Sequence, residues 1–159
     1  RSILICCGLG GVGKTTVSSA LGIKAAQARR KSIVITIDPS KRLRSALGIE
    51  PGCDTPVDLT EKIFGAKPPS GQLAAVIPDS KETFEGLLRS FSKDKYFYER
   101  MSNNPIFKMI SKEFSGSNEY MAMQKLESIY NSKEYDLIIL DTPPSRNALY
   151  FRCKKTLVV

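Results

Sequence analysis

Four short stretches of this chain are apolar almost without interruption. They are Ile3-Leu4-Ile5-Cys6-Cys7, Ser32-Ile33-Val34-Ile35-Thr36-Ile37, Leu73-Ala74-Ala75-Val76-Ile77 and Asp136-Leu137-Ile138-Ile139-Leu140-Asp141. None alternates apolar with polar, so each reads as a strand buried on both faces, the pattern of a parallel sheet. Between the first two, Val17, Leu21, Ala25 and Ala28 recur three and four apart, which predicts a helix from Lys14 to about Arg30 with those residues on its buried face. Strand, helix, strand within 37 residues is a βαβ unit with a right-handed crossover. The stretch from Pro39 to Gly71 is rich in Pro, Gly and Asp, with short helices expected near Lys41–Leu47 and Asp58–Phe64. Further helices are expected near Lys81–Phe91, Pro105–Phe114 and Glu119–Asn131. Lys155-Thr156-Leu157-Val158-Val159 reads as the opening of another buried strand. Its connection from Asp141 is short for a parallel crossover, which takes about a dozen residues or more and usually a helix. A tight link, missing residues or a fragmentary chain are the three expectations there.

Composition narrows the class. The chain has 159 residues, 42% hydrophobic and 25% charged, with 11 glycines, which are ordinary globular values for one domain. Collagen, low-complexity disorder and a disulfide scaffold are excluded. No apolar stretch approaches the roughly 18 residues of a membrane span. The chain opens on Arg1, with no signal-peptide layout, so a trimmed N-terminus is expected. Histidine is absent, which removes His triads, His zinc sites and His general bases. The four cysteines, Cys6, Cys7, Cys53 and Cys153, form no C-x-x-C, and reduced thiols in a cytoplasmic protein are expected. The formal charge of +8 suggests phosphate-bearing or otherwise anionic partners: nucleotides, nucleic acid or an anionic membrane face. The cations are scattered, however, with the densest runs at Arg29-Arg30-Lys31 and Lys41-Arg42-Leu43-Arg44. A solvated face is favoured over a nucleic-acid surface.

The chemistry concentrates after the first strand. Gly8-Leu9-Gly10-Gly11-Val12-Gly13-Lys14-Thr15 fits the phosphate-loop pattern G-x-x-x-x-G-K-[ST]. Such a loop wraps backbone N–H groups around phosphate oxygens, and its glycines permit both the close approach and the positive φ angles. The helix that follows adds its N-terminal dipole. Gly10, Gly11, Val12 and Gly13 would supply the N–H groups, Lys14 a cation for the β- and γ-phosphates, Thr15 a hydroxyl for Mg²⁺, and Thr16 a reach to the α-phosphate. Asp141 ends the Leu137–Leu140 strand, where in P-loop proteins a carboxylate holds Mg²⁺, usually through water; its alternative is a strand-end acid that caps a helix or a turn. Asp38 ends the second strand and faces the same crevice at the carboxyl ends of the strands, so it is a candidate to polarise the attacking water. Its alternative is a plain Asp-Pro turn.

Three segments together resemble a known family. Gly8–Thr16 looks like the "deviant" phosphate loop K-G-G-x-x-G-K-T-T. Thr36-Ile37-Asp38-Pro39-Ser40-Lys41-Arg42-Leu43 and Asp141-Thr142-Pro143-Pro144-Ser145-Arg146-Asn147-Ala148-Leu149 resemble switch I and switch II of the ArsA-type anion-transporting ATPases. Ser115–Leu126 resembles a segment of a bacterial branch of that family, and the similarity runs from about Ser2 to Phe151. The resemblance implies a three-layer α/β P-loop NTPase with a mostly parallel sheet and helices on both faces, incomplete at the C-terminus, residues 1–159 being the N-terminal part of a longer family domain. It also implies a Mg²⁺-dependent ATPase with its site at a homodimer interface, acting as a nucleotide-driven switch for transport or targeting of an anion or protein client. Asp38 and Lys14 would then be catalytic, Lys14, Thr15 and Thr16 would hold phosphates, and Thr15 and Asp141 would hold Mg²⁺.

Leu9 stands where the family's extra lysine falls, the residue that reaches the partner's nucleotide. That departure keeps a non-hydrolysing nucleotide scaffold open as an alternative, beside a partitioning or positioning ATPase that binds DNA or a membrane surface. Met121 and Met123 do not share a helix face, so core packing for one and partial exposure for the other are expected.

Overall fold

The computed structural model describes residues 1–37, 54–79, 83–86, 118–142 and 156–158, with Arg89, Asn104, Pro105 and Met109; of the side chains of 118–120 and 156–158 nothing is said. In chain order the elements are β1 (Ser2–Cys6), α1 (Lys14–Gln27), β2 (Lys31–Thr36), β3 (Val57–Asp58), α2 (Thr60–Phe64), β4 (Gln72–Val76), α3 (Asn118–Ser132), β5 (Leu137–Asp141) and β6 (Thr156–Val158). They build one sheet in the order β3-β4-β2-β5-β1-β6. Every neighbouring pair is parallel except β3 with β4. The C-terminal segment does form the expected strand, β6, beside β1.

Side chains alternate between two faces along each parallel strand, and both faces are apolar. Ile3, Ile5, Ile33, Ile35, Ala74, Val76, Ile138 and Leu140 pack with Ala122, Leu126 and Ile129 of α3. The intervening Cys6, Val34, Leu73, Leu137 and Ile139 pack with Ala25 and Ala26 of α1. All five residues of β5, at the middle of the sheet, are buried. This is the three-layer α/β arrangement, and it explains why the strands read as unbroken apolar runs.

The buried line of α1 differs from the one the spacing predicts. Ser18, Gly22, Ala25 and Ala26 are buried, whereas Val17 is 44% exposed and Ala28 lies on the surface. The helix lies so close to the sheet that only small residues fit beneath it. A Cβ on Gly22 would stand 2.9 Å from Leu73 Cδ1 and 3.1 Å from Val34 Cγ2. Ser32 Oγ, on β2, donates to the Gly22 carbonyl at 3.1 Å. The helix also ends before Arg30. Arg29 turns left-handed at φ 62, and its N–H and that of Arg30 bond back to Ala26 and Ala25 carbonyls.

At the sheet edge, α2 begins at Thr60 rather than Asp58. Asp58 belongs to β3, and its Oδ1 accepts the Thr60 N–H at 2.8 Å, fixing the helix start. In α3, Met121 is buried completely and Met123 is 38% exposed, as their spacing implies. Thr83–Gly86 is helical, within the segment expected near Lys81–Phe91. The helix expected near Lys41–Leu47, most of the one near Pro105–Phe114, Cys53, Cys153 and residues 143–155 lie outside the described residues. Cys6 is buried and Cys7 half-buried, both as free thiols.

Candidate nucleotide-binding site

The parallel registers bring three strand ends to one row, Cys6 opposite Asp141 and Thr36 opposite Asp141. Gly8–Gly13 spans the gap from the end of β1 to the start of α1, with Leu9–Gly13 on the surface. Gly11 and Gly13 adopt φ 77 and φ 87. A Cβ at either would meet nothing within 4 Å, so the left-handed backbone, not crowding, requires glycine there. Gly13 caps α1, accepting the Val17 N–H at 2.9 Å, and no acidic residue occupies the helix's first turn. The free N–H groups and the dipole of that turn are left available to an anion. Lys14 Nζ folds over the loop and donates to the Leu9 carbonyl at 2.8 Å. Thr16 is exposed on the same turn.

Thr15 faces the sheet. Its Oγ1 donates to Asp141 Oδ2 at 2.7 Å, a contact across 126 positions of sequence. Asp141 is only 3% exposed, and its Oδ1 is buried with no hydrogen-bond partner. Burial pushes its carboxyl above the usual range, while the Thr15 hydroxyl and the Lys14 ammonium pull part of the way back. A buried carboxylate with one bonded oxygen and one orphaned oxygen, beside a hydroxyl and a phosphate loop, fits Mg²⁺. That ion takes one or two protein oxygens and completes its shell with water and phosphate. Among the described residues no group of three or more His, Cys, Asp or Glu offers an all-protein metal cage.

The structure thus brings Gly10, Gly11, Val12, Gly13, Lys14, Thr15, Thr16 and Asp141 together. Asp38 lies outside the described residues; Ile37 before it is buried, and its N–H donates to the Asp141 carbonyl at 3.1 Å. Ser18 escaped the sequence reading, whereas Thr142 was read there only as part of the switch II segment. Ser18 is fully buried, its Oγ donating to the Lys14 carbonyl at 2.9 Å. Thr142 is 5% exposed, its Oγ1 donating to the Cys6 carbonyl at 2.9 Å. The only available signal for Ser18 was its place one helical turn after Lys14.

A strand, a glycine-rich turn, a helix and a carboxylate at the end of the adjacent parallel strand define the P-loop NTPase fold. A family model described as Anion-transporting ATPase matches residues 1–153, and the chain belongs to that family. ATPase GET3 of Malassezia globosa is 27% identical over 150 residues, covering 93% of this chain and 40% of that protein. ATPase GET3 of Podospora anserina is 29% identical over 150 residues, covering 91% of this chain and 40% of that protein. The ATPase ASNA1 homolog of Entamoeba dispar is 26% identical over 159 residues, covering 91% and 43% respectively. The chain therefore spans about two fifths of the length of these relatives. Among the described residues, no helix is long and apolar enough to cross a membrane.

Proposed function

We propose that this chain carries the phosphate- and Mg²⁺-binding half of an ATPase that works as a nucleotide-driven dimer switch. The observation that carries this reading is the Thr15–Asp141 bond at 2.7 Å with Asp141 Oδ1 left unpartnered beside the phosphate loop. In this reading the N–H groups of Gly10, Gly11, Val12 and Gly13 cradle the phosphates of ATP. Lys14 exchanges the Leu9 carbonyl for β- and γ-phosphate oxygens, and Thr16 reaches the α-phosphate. Thr15 and Asp141 hold Mg²⁺, which neutralises charge on the phosphates when bound. Asp38 orients the attacking water. Little covalent chemistry is required of the protein, because positioning and charge neutralisation carry most of phosphoryl transfer. A second copy of the chain would complete the site, and opening and closing of the pair would move or target an anion or protein client in the cytoplasm. Family membership supports the ATPase class.

Calorimetry with Mg-ATP and Mg-GTP on the wild type and Lys14→Ala, together with phosphate release by Asp38→Asn, tests this. Expected are ATP binding lost in Lys14→Ala, and binding retained without turnover in Asp38→Asn. Unchanged turnover in Asp38→Asn removes that residue from the reaction. Leu9 favours a second reading, because it presents a 66% exposed apolar side chain at the loop where the family's lysine belongs. A chain that binds ATP and releases no phosphate would establish the non-hydrolysing scaffold instead.

A further inference from the structure

Thr142 follows the metal-facing carboxylate directly. The β1–β5 ladder ends at the pair Cys6–Asp141. Thr142 extends it by one residue and does so twice. Its N–H reaches the Cys6 carbonyl at 3.3 Å, and its hydroxyl reaches the same oxygen at 2.9 Å. On the other flank, the Asp141 carbonyl accepts the Ile37 N–H at 3.1 Å. Asp141 is therefore held from both neighbouring strands. The backbone bond alone is long, and one contact leaves the Thr142 peptide free to pivot about it. The shorter hydroxyl bond adds a second point of attachment, and it ties the end of β5 to the strand that leads into the phosphate loop. With that backbone pinned, the Asp141 carboxylate keeps its 2.7 Å contact with Thr15 and leaves its other oxygen buried without a hydrogen-bond partner.

We propose that Thr142 is a positioning residue for the divalent cation: its hydroxyl bond to the Cys6 carbonyl sets the Asp141 carboxylate for metal. This rests on the nucleotide and Mg²⁺ reading above. Groups that orient a metal ligand without touching the metal typically carry 10–100-fold of its affinity. Thr142→Val replaces the hydroxyl with a methyl of similar size, and the Cys6 carbonyl keeps its backbone partner. Thr142→Ser keeps the hydroxyl and loses the methyl.

Mn²⁺ is titrated into the full chain with a non-hydrolysable ATP analogue, and free Mn²⁺ is read by electron paramagnetic resonance. Metal-free binding of the same analogue is measured by calorimetry. The expected result is roughly tenfold weaker Mn²⁺ binding in Thr142→Val, wild-type binding in Thr142→Ser, and equal metal-free analogue affinity in all three. Unchanged Mn²⁺ affinity in Thr142→Val overturns the proposal. So does an equal loss of metal-free binding, or a variant that folds only with the hydroxyl, since either assigns Thr142 to stability. Lys14→Ala serves as the control for the underlying reading. Analogue binding that does not depend on Lys14 removes the nucleotide site itself, and the positioning role falls with it.

Discussion

The helices α1 and α3 cover opposite faces of the same strands with opposite materials. α1 buries Ser18, Gly22, Ala25 and Ala26, whereas α3 buries Met121, Ala122, Leu126 and Ile129. Under α1 the neighbours are close and partly backbone: a Cβ on Gly71 would lie 2.3 Å from the Ala26 carbonyl oxygen and 2.7 Å from that of Arg30. Under α3 the neighbours are large side chains, which can repack. A polar tie adds to α3, where Lys125 Nζ, between the buried positions of the helix, meets Asp54 Oδ2 at 2.8 Å and the Asp54 carbonyl as well. Asp54 Oδ1 also accepts from the Thr83 hydroxyl at 3.1 Å. The lesson is mechanical. The helix that carries Lys14 and Thr15 lies close on the sheet through small residues, and near its C-terminal end, at Gly71, the neighbouring atoms are backbone and cannot repack. Thr15, whose hydroxyl contacts Asp141, rides on that helix.

The largest break in this contrast should come from Gly71→Ala. Its three nearest obstacles are all backbone atoms, so neither side can give. A loss of about 3 kcal/mol is expected in urea denaturation, with weakened nucleotide binding as α1 shifts. A near-neutral variant would mean that α1 is not held as tightly as its spacing implies.

Asp141→Asn should act in the other direction. A carboxyl raised by burial favours the protonated fold, so its contribution is most favourable below the ordinary value of 3.8 and declines as pH rises towards the raised one. Asn removes that decline. In metal-free protein at pH 7 a gain of about 1 kcal/mol is expected from no longer burying a carboxylate with one unpartnered oxygen, while added Mg²⁺ should stabilise only the wild type. Equal Mg²⁺ stabilisation of both proteins, read by thermal denaturation, would dissociate Asp141 from the metal.

Leu126→Met on the α3 face is the counterpart of Gly71→Ala. A volume-conserving swap among deformable neighbours should cost under about 1.5 kcal/mol and leave nucleotide affinity unchanged. A loss of binding by calorimetry would show that α3 constrains the site as strongly as α1. The smallest effect concerns Asp58. Burial raises its carboxyl, but the Thr60 hydroxyl, the Thr60 N–H and the Gln72 amide outweigh it and hold the group below the ordinary value. Its contribution is present above that value and lost as pH falls through the lowered one. Asp58→Ala should therefore slightly shift the acid-denaturation midpoint upward, an effect visible as earlier loss of helical circular dichroism on acidification.

Much of the α/β plan was legible because each strand is buried on both faces. A run such as Leu137–Leu140, apolar at every position and bounded by Asp at each end, is too short for a buried helix and suits a strand covered on both sides. The phosphate loop was legible for a related reason: its function demands glycines and a lysine at fixed offsets, whatever surrounds them. The buried stripe of α1 was read only in part: Ala25 is buried and Leu21 half-buried, but Val17 and Ala28 are exposed and the small polar or glycine positions Ser18 and Gly22 carry no apolar signal. β3 was not anticipated, since two residues paired at an edge have no periodicity of their own.

Sequence alone determined the strand–loop–helix unit, the central apolar strand ending in Asp141, and the spacing of Met121 and Met123, because each depends on neighbours within a few positions. Only the tertiary structure decided that Thr15 meets Asp141, that Thr142 grips Cys6, and that Lys125 pairs with Asp54, contacts spanning 126, 136 and 71 positions. The physical reason is register. Parallel pairing of β1, β5 and β2 aligns their carboxyl ends in one row, and that alignment is a property of the assembled sheet rather than of any strand in it.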